Sequence, residues 1–173
     1  MVKWTIYFLG MSAMLTIEAH AQDLQLQDWS VGYTKSRDYV YAVTTNDSGS
    51  LLGEYCSVST GTCVWLLGMA TSCDQGNKYP VLENSSSGAD QLEVYCDGVY
   101  DANLYRYAFS KFDSIAEAVK NGSGLVGFAF PMKEGQFKVS RFSLNGANAA
   151  VSTMEKLAVK SAAQKTRGKD ENL

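Results

Sequence analysis

The four cysteines, at positions 56, 63, 73 and 96, constrain this chain more than any other feature. They are spaced by 7, 10 and 23 positions within strand-like sequence, and what they can do depends on the compartment. The N-terminus, MVKWTIYFLGMSAMLTIEAHAQ, bears on that directly. Lys3 is a short basic region, Trp4 to Ile17 is an apolar run, and Ala19-His20-Ala21 is a small-x-small cleavage signal. These features predict a secretory signal peptide over 1–21, with Gln22 opening the mature chain. The run is shorter than the ~20 apolar residues a spanning helix needs, and nothing later is long and apolar enough. The expected localisation is therefore periplasmic or secreted, with no transmembrane segment once the signal is removed.

In an oxidising compartment an even cysteine count reads as disulfides. No C-x-x-C is present, and the paired short spacings or histidines of a zinc site are missing, so neither a thioredoxin-like motif nor a metal is expected. Of the three possible connectivities, Cys56–Cys63 with Cys73–Cys96 is favoured. Cys56 and Cys63 flank the turn-like SVSTGT, where a hairpin brings Cα atoms within bridging distance. The second bridge then ties the end of the following strand to Cys96.

The same N-terminus removes most catalytic options. The single histidine, His20, lies inside the signal, so no Ser-His-Asp or Cys-His arrangement can be assembled from the mature chain. G-x-S-x-G, S-x-x-K, the P-loop and the dinucleotide fingerprint are absent, and no cofactor is expected. The chain has 15 Lys/Arg against 18 Asp/Glu, a net charge of −3. That balance gives no basic footprint for nucleic acid. Asp90, Glu93, Asp97 and Asp101 cluster around Cys96 and suggest either solvated strand ends or the paired acids of a glycan-acting enzyme. Their spacing matches no calcium loop.

Most of the remaining sequence alternates as strands do. Trp29, Val31 and Tyr33 share a face, as do Tyr39, Tyr41 and Val43, and Tyr105, Tyr107 and Phe109. CVWLLGMA, starting at Cys63, is apolar on both faces and predicts a central buried strand. Val126, Phe128, Phe130 and Met132 oppose Gly127 and Ala129, whose small size predicts close approach of backbone or a helix. Asp113 is placed to cap a short helix, SIAEAVKN, ended by Gly122. A second helix follows Asn145-Gly146, with Ala147, Ala150, Val151, Met154, Leu157 and Ala158 on one face. About nine short strands and two helices predict an all-β fold, mainly an antiparallel β-sandwich, with one short internal helix and one C-terminal helix. One domain is expected over 22–160, with a disordered tail over 161–173.

Two segments resemble the bacterial invasion-associated protein B family. QDWSVGY, from Gln27, is similar to the family's Asp-Trp-x-Val-like start. GFAFPMKEGQFKVSRFSLNGANAAVSTMEKL, from Gly127, is similar to its late apolar strands, leucine-x-Gly turn and Ala-rich helix. The resemblance implies an exported β-sandwich with a short C-terminal helix and carries over no catalytic residues. The expected function is non-enzymatic binding of a protein or envelope component, with host interaction as an extension. A glycan-acting enzyme and an inhibitor or immunity-type protein are the alternatives. Contacts are expected from loops 46–50, 84–90 and 97–103. Tyr100 is the best exposed aromatic, flanked by Asp97 and Asp101, because DGVYDAN reads as a loop.

Overall fold

A computed structural model describes residues 23–101, 104–131 and 136–167. The expected signal peptide and Gln22 lie outside the described residues. Ten strands form one antiparallel sheet in the order β1-β2-β3-β4-β5-β8-β7-β6-β9-β10. The first five make a meander: β1 (Leu24–Leu26), β2 (Trp29–Tyr33), β3 (Tyr39–Thr45), β4 (Leu51–Ser57) and β5 (Cys63–Met69). β6 (Lys78–Ser85), β7 (Gly88–Asp101) and β8 (Leu104–Phe109) then run back, so that β8 docks on β5. Helix α1 (Phe112–Asn121) carries the chain to β9 (Leu125–Pro131) and β10 (Phe137–Ser143), and α2 (Ala147–Arg167) ends the described chain.

The two layers of the expected sandwich belong to this one sheet, folded back until its ends meet. Trp29 Nε1 on β2 donates to the Ser143 carbonyl on β10 at 2.8 Å. Asp28 N donates to the Asn145 carbonyl at 3.3 Å. Between the layers lies an aromatic core in which Trp29 meets Trp65 edge-on at 6.3 Å, and Phe128 packs on both Phe109 and Phe142. β5 is central, as its two apolar faces require. Trp65, Leu67 and Met69 are fully buried on the core side, and Leu66 is buried on the other.

Two of the expected contact loops take the form of tight turns. At Asn46 the side-chain carbonyl accepts from Ser48 N and Ser50 N, and Gly49 takes φ +73°, so the expected 46–50 turn forms as an Asx-type turn. The expected 84–90 loop is much shorter. β6 continues to Ser85 and β7 starts at Gly88, whose φ of +138° suits a tight hairpin. Pro80 is tolerated in β6 because it faces Glu93 on β7, while β9 pairs with β6 only over Leu82–Asn84.

Helix α2 lays the expected face on the sheet. Ala147, Ala150, Val151, Met154 and Ala158 are buried and Leu157 is half-buried. It runs past the expected end of the domain, and 161–167 are helical rather than tail. Ala162, Ala163, Gln164 and Lys165 are good helix formers. Tyr33 also anchors this end, its hydroxyl 3.2 Å from that of Ser161. Residues 168–173 lie outside the described set. In α1 the helix starts one residue before Asp113, after Lys111, and no side chain caps it. Gly127 and Ala129 do not receive a helix. Among the described residues they floor an open apolar groove with Leu82, Leu125 and Val139. Met132 lies outside the described residues.

Candidate functional site

The outer face of β3, β4, β5, β8 and β7 carries a second apolar cluster, separate from the core. Tyr55, Leu66 and Ala108 are buried there, with Tyr41, Val43 and Val64 half-buried against them. Strand pairing aligns them: Tyr41 opposes Tyr55, Tyr55 opposes Val64, and Leu66 opposes Ala108, which opposes Tyr95. Alternation along β7 sends Val94 and Cys96 into the core and Tyr95 and Asp97 outward.

A cleft of about 290 Å³ opens on this face, lined by Thr34, Tyr39, Tyr55, Val64, Leu66, Tyr95, Asp97, Tyr100 and Arg106. Arg106 lies opposite Gly68 on one side and Gly98 on the other, and the side chains of Leu51 and Gln75 lie over those two glycines. Its Nε sits 2.7 Å from Asp97 Oδ2. The pair is held by charge rather than by an aligned hydrogen bond, since the Nε–H does not point at the carboxylate. Tyr55 shares a hydrogen bond with Tyr100, and burial, with the Tyr100 hydroxyl as the next cause, pushes its hydroxyl strongly upward. Beside the cleft, the Tyr41 hydroxyl donates to Asp23 Oδ2 at 2.8 Å. Burial and that carboxylate raise it to about 12. These two tyrosines therefore stay neutral hydroxyls at physiological pH. The surface offers flat aromatic area, hydroxyls and one ion pair, which suits contact with a polypeptide or a sugar.

The structure brings Asp97 and Tyr100 together here. It corrects their setting, because 97–101 is strand rather than loop. Gly98, at φ +98°, makes a bulge that absorbs a register shift between Cys96 and Gly98, and a second shift follows between Val99 and Asp101. β7 therefore continues along β8 instead of breaking. Asp101 ends the strand; its side chain and residues 102–103 lie outside the described residues. Tyr39, Tyr55, Tyr95 and Arg106 join Asp97 and Tyr100 in the cleft lining and lie outside the contact residues and loops expected from the sequence. The signal that finds them is strand alternation: each lies opposite in phase to a buried core residue, namely Val40, Glu54, Val94 and Tyr107.

Among the described side chains, Glu93 and Asp97 are not assembled as a catalytic pair. Glu93 is held by Lys78 Nζ at 2.8 Å and by the Ser110 hydroxyl at 3.1 Å, which lower its pKa, the Lys78 bond most. Asp97 lies on the same face four residues on, about 13 Å along a strand, beyond the ~9.5 Å limit for paired carboxyls. Asp90 lines a shallow depression by the β6–β7 hairpin, beside Glu83 and Glu117.

Both disulfides form as favoured. Cys56 and Cys63 oppose each other across β4 and β5, with Cα atoms 4.0 Å apart. Cys73, in the β5–β6 connection, bonds Cys96 on β7 with Cα atoms 6.0 Å apart. No described helix is long and apolar enough to cross a membrane.

No protein-family model and no curated protein matches the sequence. Among solved structures, the chain is similar to invasion associated protein B from Bartonella henselae, with a TM-score of 0.56 and 14% identity over 79% of this chain and 98% of that one. At that identity the likeness is one of fold, and the chain has the fold of that protein.

Proposed function

We propose that this chain is an exported, disulfide-held, non-enzymatic β protein that binds another protein or an envelope component through the aromatic cleft. The observation that carries the reading is the convergence of Tyr39, Tyr55, Tyr95 and Tyr100 around the Arg106–Asp97 pair on an outward sheet face. Among the described residues no helix packs on that face, whereas α2 covers the first strands from the core side. Tyrosine concentrates binding energy at interfaces because it combines large area with few rotamers and a polar end, and arginine because its planar guanidinium presents several fixed donors. Two disulfides support export, since such bonds persist in oxidising compartments. The fold shared with invasion associated protein B extends the proposal to a role at a host interface.

The test is affinity capture from native envelope extracts and from host-cell surface extracts. Wild-type protein is compared with a Tyr39→Ala/Tyr100→Ala variant. Both residues are 45% exposed, so the variant keeps its core. A partner recovered by the wild type and lost by the variant is the expected result. Equal recovery by both proteins would rule out the cleft as the contact surface.

A further inference from the structure

Glu54 has no place in a purely structural core. It sits on β4 with its side chain among the core residues, between Leu52 and Cys56, and has no exposed surface. Its cross-strand neighbours are Ala42 and Trp65, neither of them charged. Oε2 has no hydrogen-bond partner, and Oε1 lies 3.7 Å from Cys56 Sγ. A buried acid left half-satisfied costs stability, and an apolar side chain would serve packing better. The disulfide beside it is asymmetric. Cys56 is fully buried, whereas Cys63 is half-buried at the end of the exposed Ser59–Thr62 turn.

We propose that Cys56–Cys63 is an exchangeable disulfide, in which an external thiol attacks Cys63 Sγ and Glu54 supplies the proton that the departing Cys56 sulfur needs. The attacking thiolate forms an S–S bond to Cys63 as the Cys56–Cys63 bond breaks, and the bonding pair leaves on Cys56 Sγ. A bare thiolate there would be stranded in apolar surroundings. The Glu54 carboxyl gives up its proton, leaving a Cys56 thiol and a Glu54 carboxylate. A second thiolate then attacks the outer sulfur of the mixed disulfide and releases Cys63 as a thiolate. Two thiols are thus oxidised to one disulfide as Cys56–Cys63 is reduced. In reverse, the Glu54 carboxylate takes the Cys56 proton, the Cys56 thiolate attacks Cys63 Sγ of the mixed disulfide, and the protein takes up a disulfide from a partner that leaves as a dithiol.

The acid is poised for this exchange near neutral pH. Burial raises its pKa to about 7; Glu155 on α2 adds to the rise and Lys120 on α1 opposes it. Those two groups are themselves paired at 2.6 Å.

The experiment reduces the oxidised mature protein with dithiothreitol from about pH 5.5 to 8.5, quenches by alkylation and maps each cysteine by mass. Rates are divided by the dithiothreitol thiolate fraction. The expected corrected rate at Cys56–Cys63 falls about tenfold between pH 6 and 8, following the protonated fraction of an acid titrating near 7. Glu54→Gln removes that fall and leaves the pH course at Cys73–Cys96 unchanged. A flat wild-type profile, or a fall that survives in E54Q, overturns the proposal. A trapping pair decides the direction of attack and does not depend on E54Q folding. With oxidised glutathione, native Cys56→Ser should form a mixed disulfide at Cys63, whereas native Cys63→Ser should leave Cys56 unmodified. The opposite pattern, or no adduct on either variant, also overturns it.

Discussion

Burial sets the behaviour of single residues here more than charge pairing does. The Glu54 carboxyl, pushed up to about 7 chiefly by burial, has an ordinary value near 4.3 once the chain unfolds. Between about pH 4.5 and 7 the unfolded chain has released a proton that the folded chain still holds. Stability therefore falls as pH rises through that window and levels off above it. Glu54→Gln removes the dependence. Each pKa unit is worth about 1.4 kcal/mol, so the variant should gain on the order of 3–4 kcal/mol over wild type at pH 8 and almost nothing at pH 4. Urea midpoints at the two pH values measure the gap, and a gap independent of pH contradicts the assignment. By contrast, the Lys78–Glu93 pair is solvent-exposed on both sides, and its removal should barely register.

At the scale of elements, period and polarity made most of the fold legible. The strand alternation of Trp29–Tyr33, the two apolar faces of Cys63–Met69 and the buried stripe of α2 all follow from side-chain spacing of 2.0 or 3.6 residues. What spacing does not encode is which strand lies beside which. Arg106 meets Asp97 only because β8 lies between β5 and β7. The cleft was for that reason only half legible. Tyr100 and Asp97 stood out because their segment is polar, whereas Tyr39, Tyr55 and Tyr95 come from three strands that the topology assembles. The bulge at Gly98 hid a strand end inside a loop-like sequence. The packing of α2 can be tested directly. Met154 is fully buried under α2 and Val159 is 71% exposed. Met154→Ala should lower stability by about 2–5 kcal/mol, and Val159→Asp should shift it by less than about 0.5 kcal/mol. Chemical denaturation of the two variants checks both, and similar losses would show that α2 does not pack as described.

Taken whole, the molecule is one sheet closed on itself by a clasp between β2 and β10 and by two staples. The staples act on different scales. Cys56–Cys63 closes a hairpin of sequence separation 7, whereas Cys73–Cys96 spans 23 and holds the β5–β6 connection against β7. Chain entropy then gives about 2 kcal/mol for the first and about 3 kcal/mol for the second. Cys73→Ser/Cys96→Ser should therefore lower the urea midpoint more than Cys56→Ser/Cys63→Ser does. The same closure leaves the outer face of β3, β4, β5, β8 and β7 as the place where exposed aromatic side chains gather around an ion pair. The most direct test of that surface is photocrosslinking in the native compartment, with a photoreactive residue placed at Tyr100 or at Val159. A partner held in the aromatic cleft gives a discrete crosslinked species from position 100 and none from position 159. Equal labelling from both positions, or none from position 100, would contradict binding at the cleft.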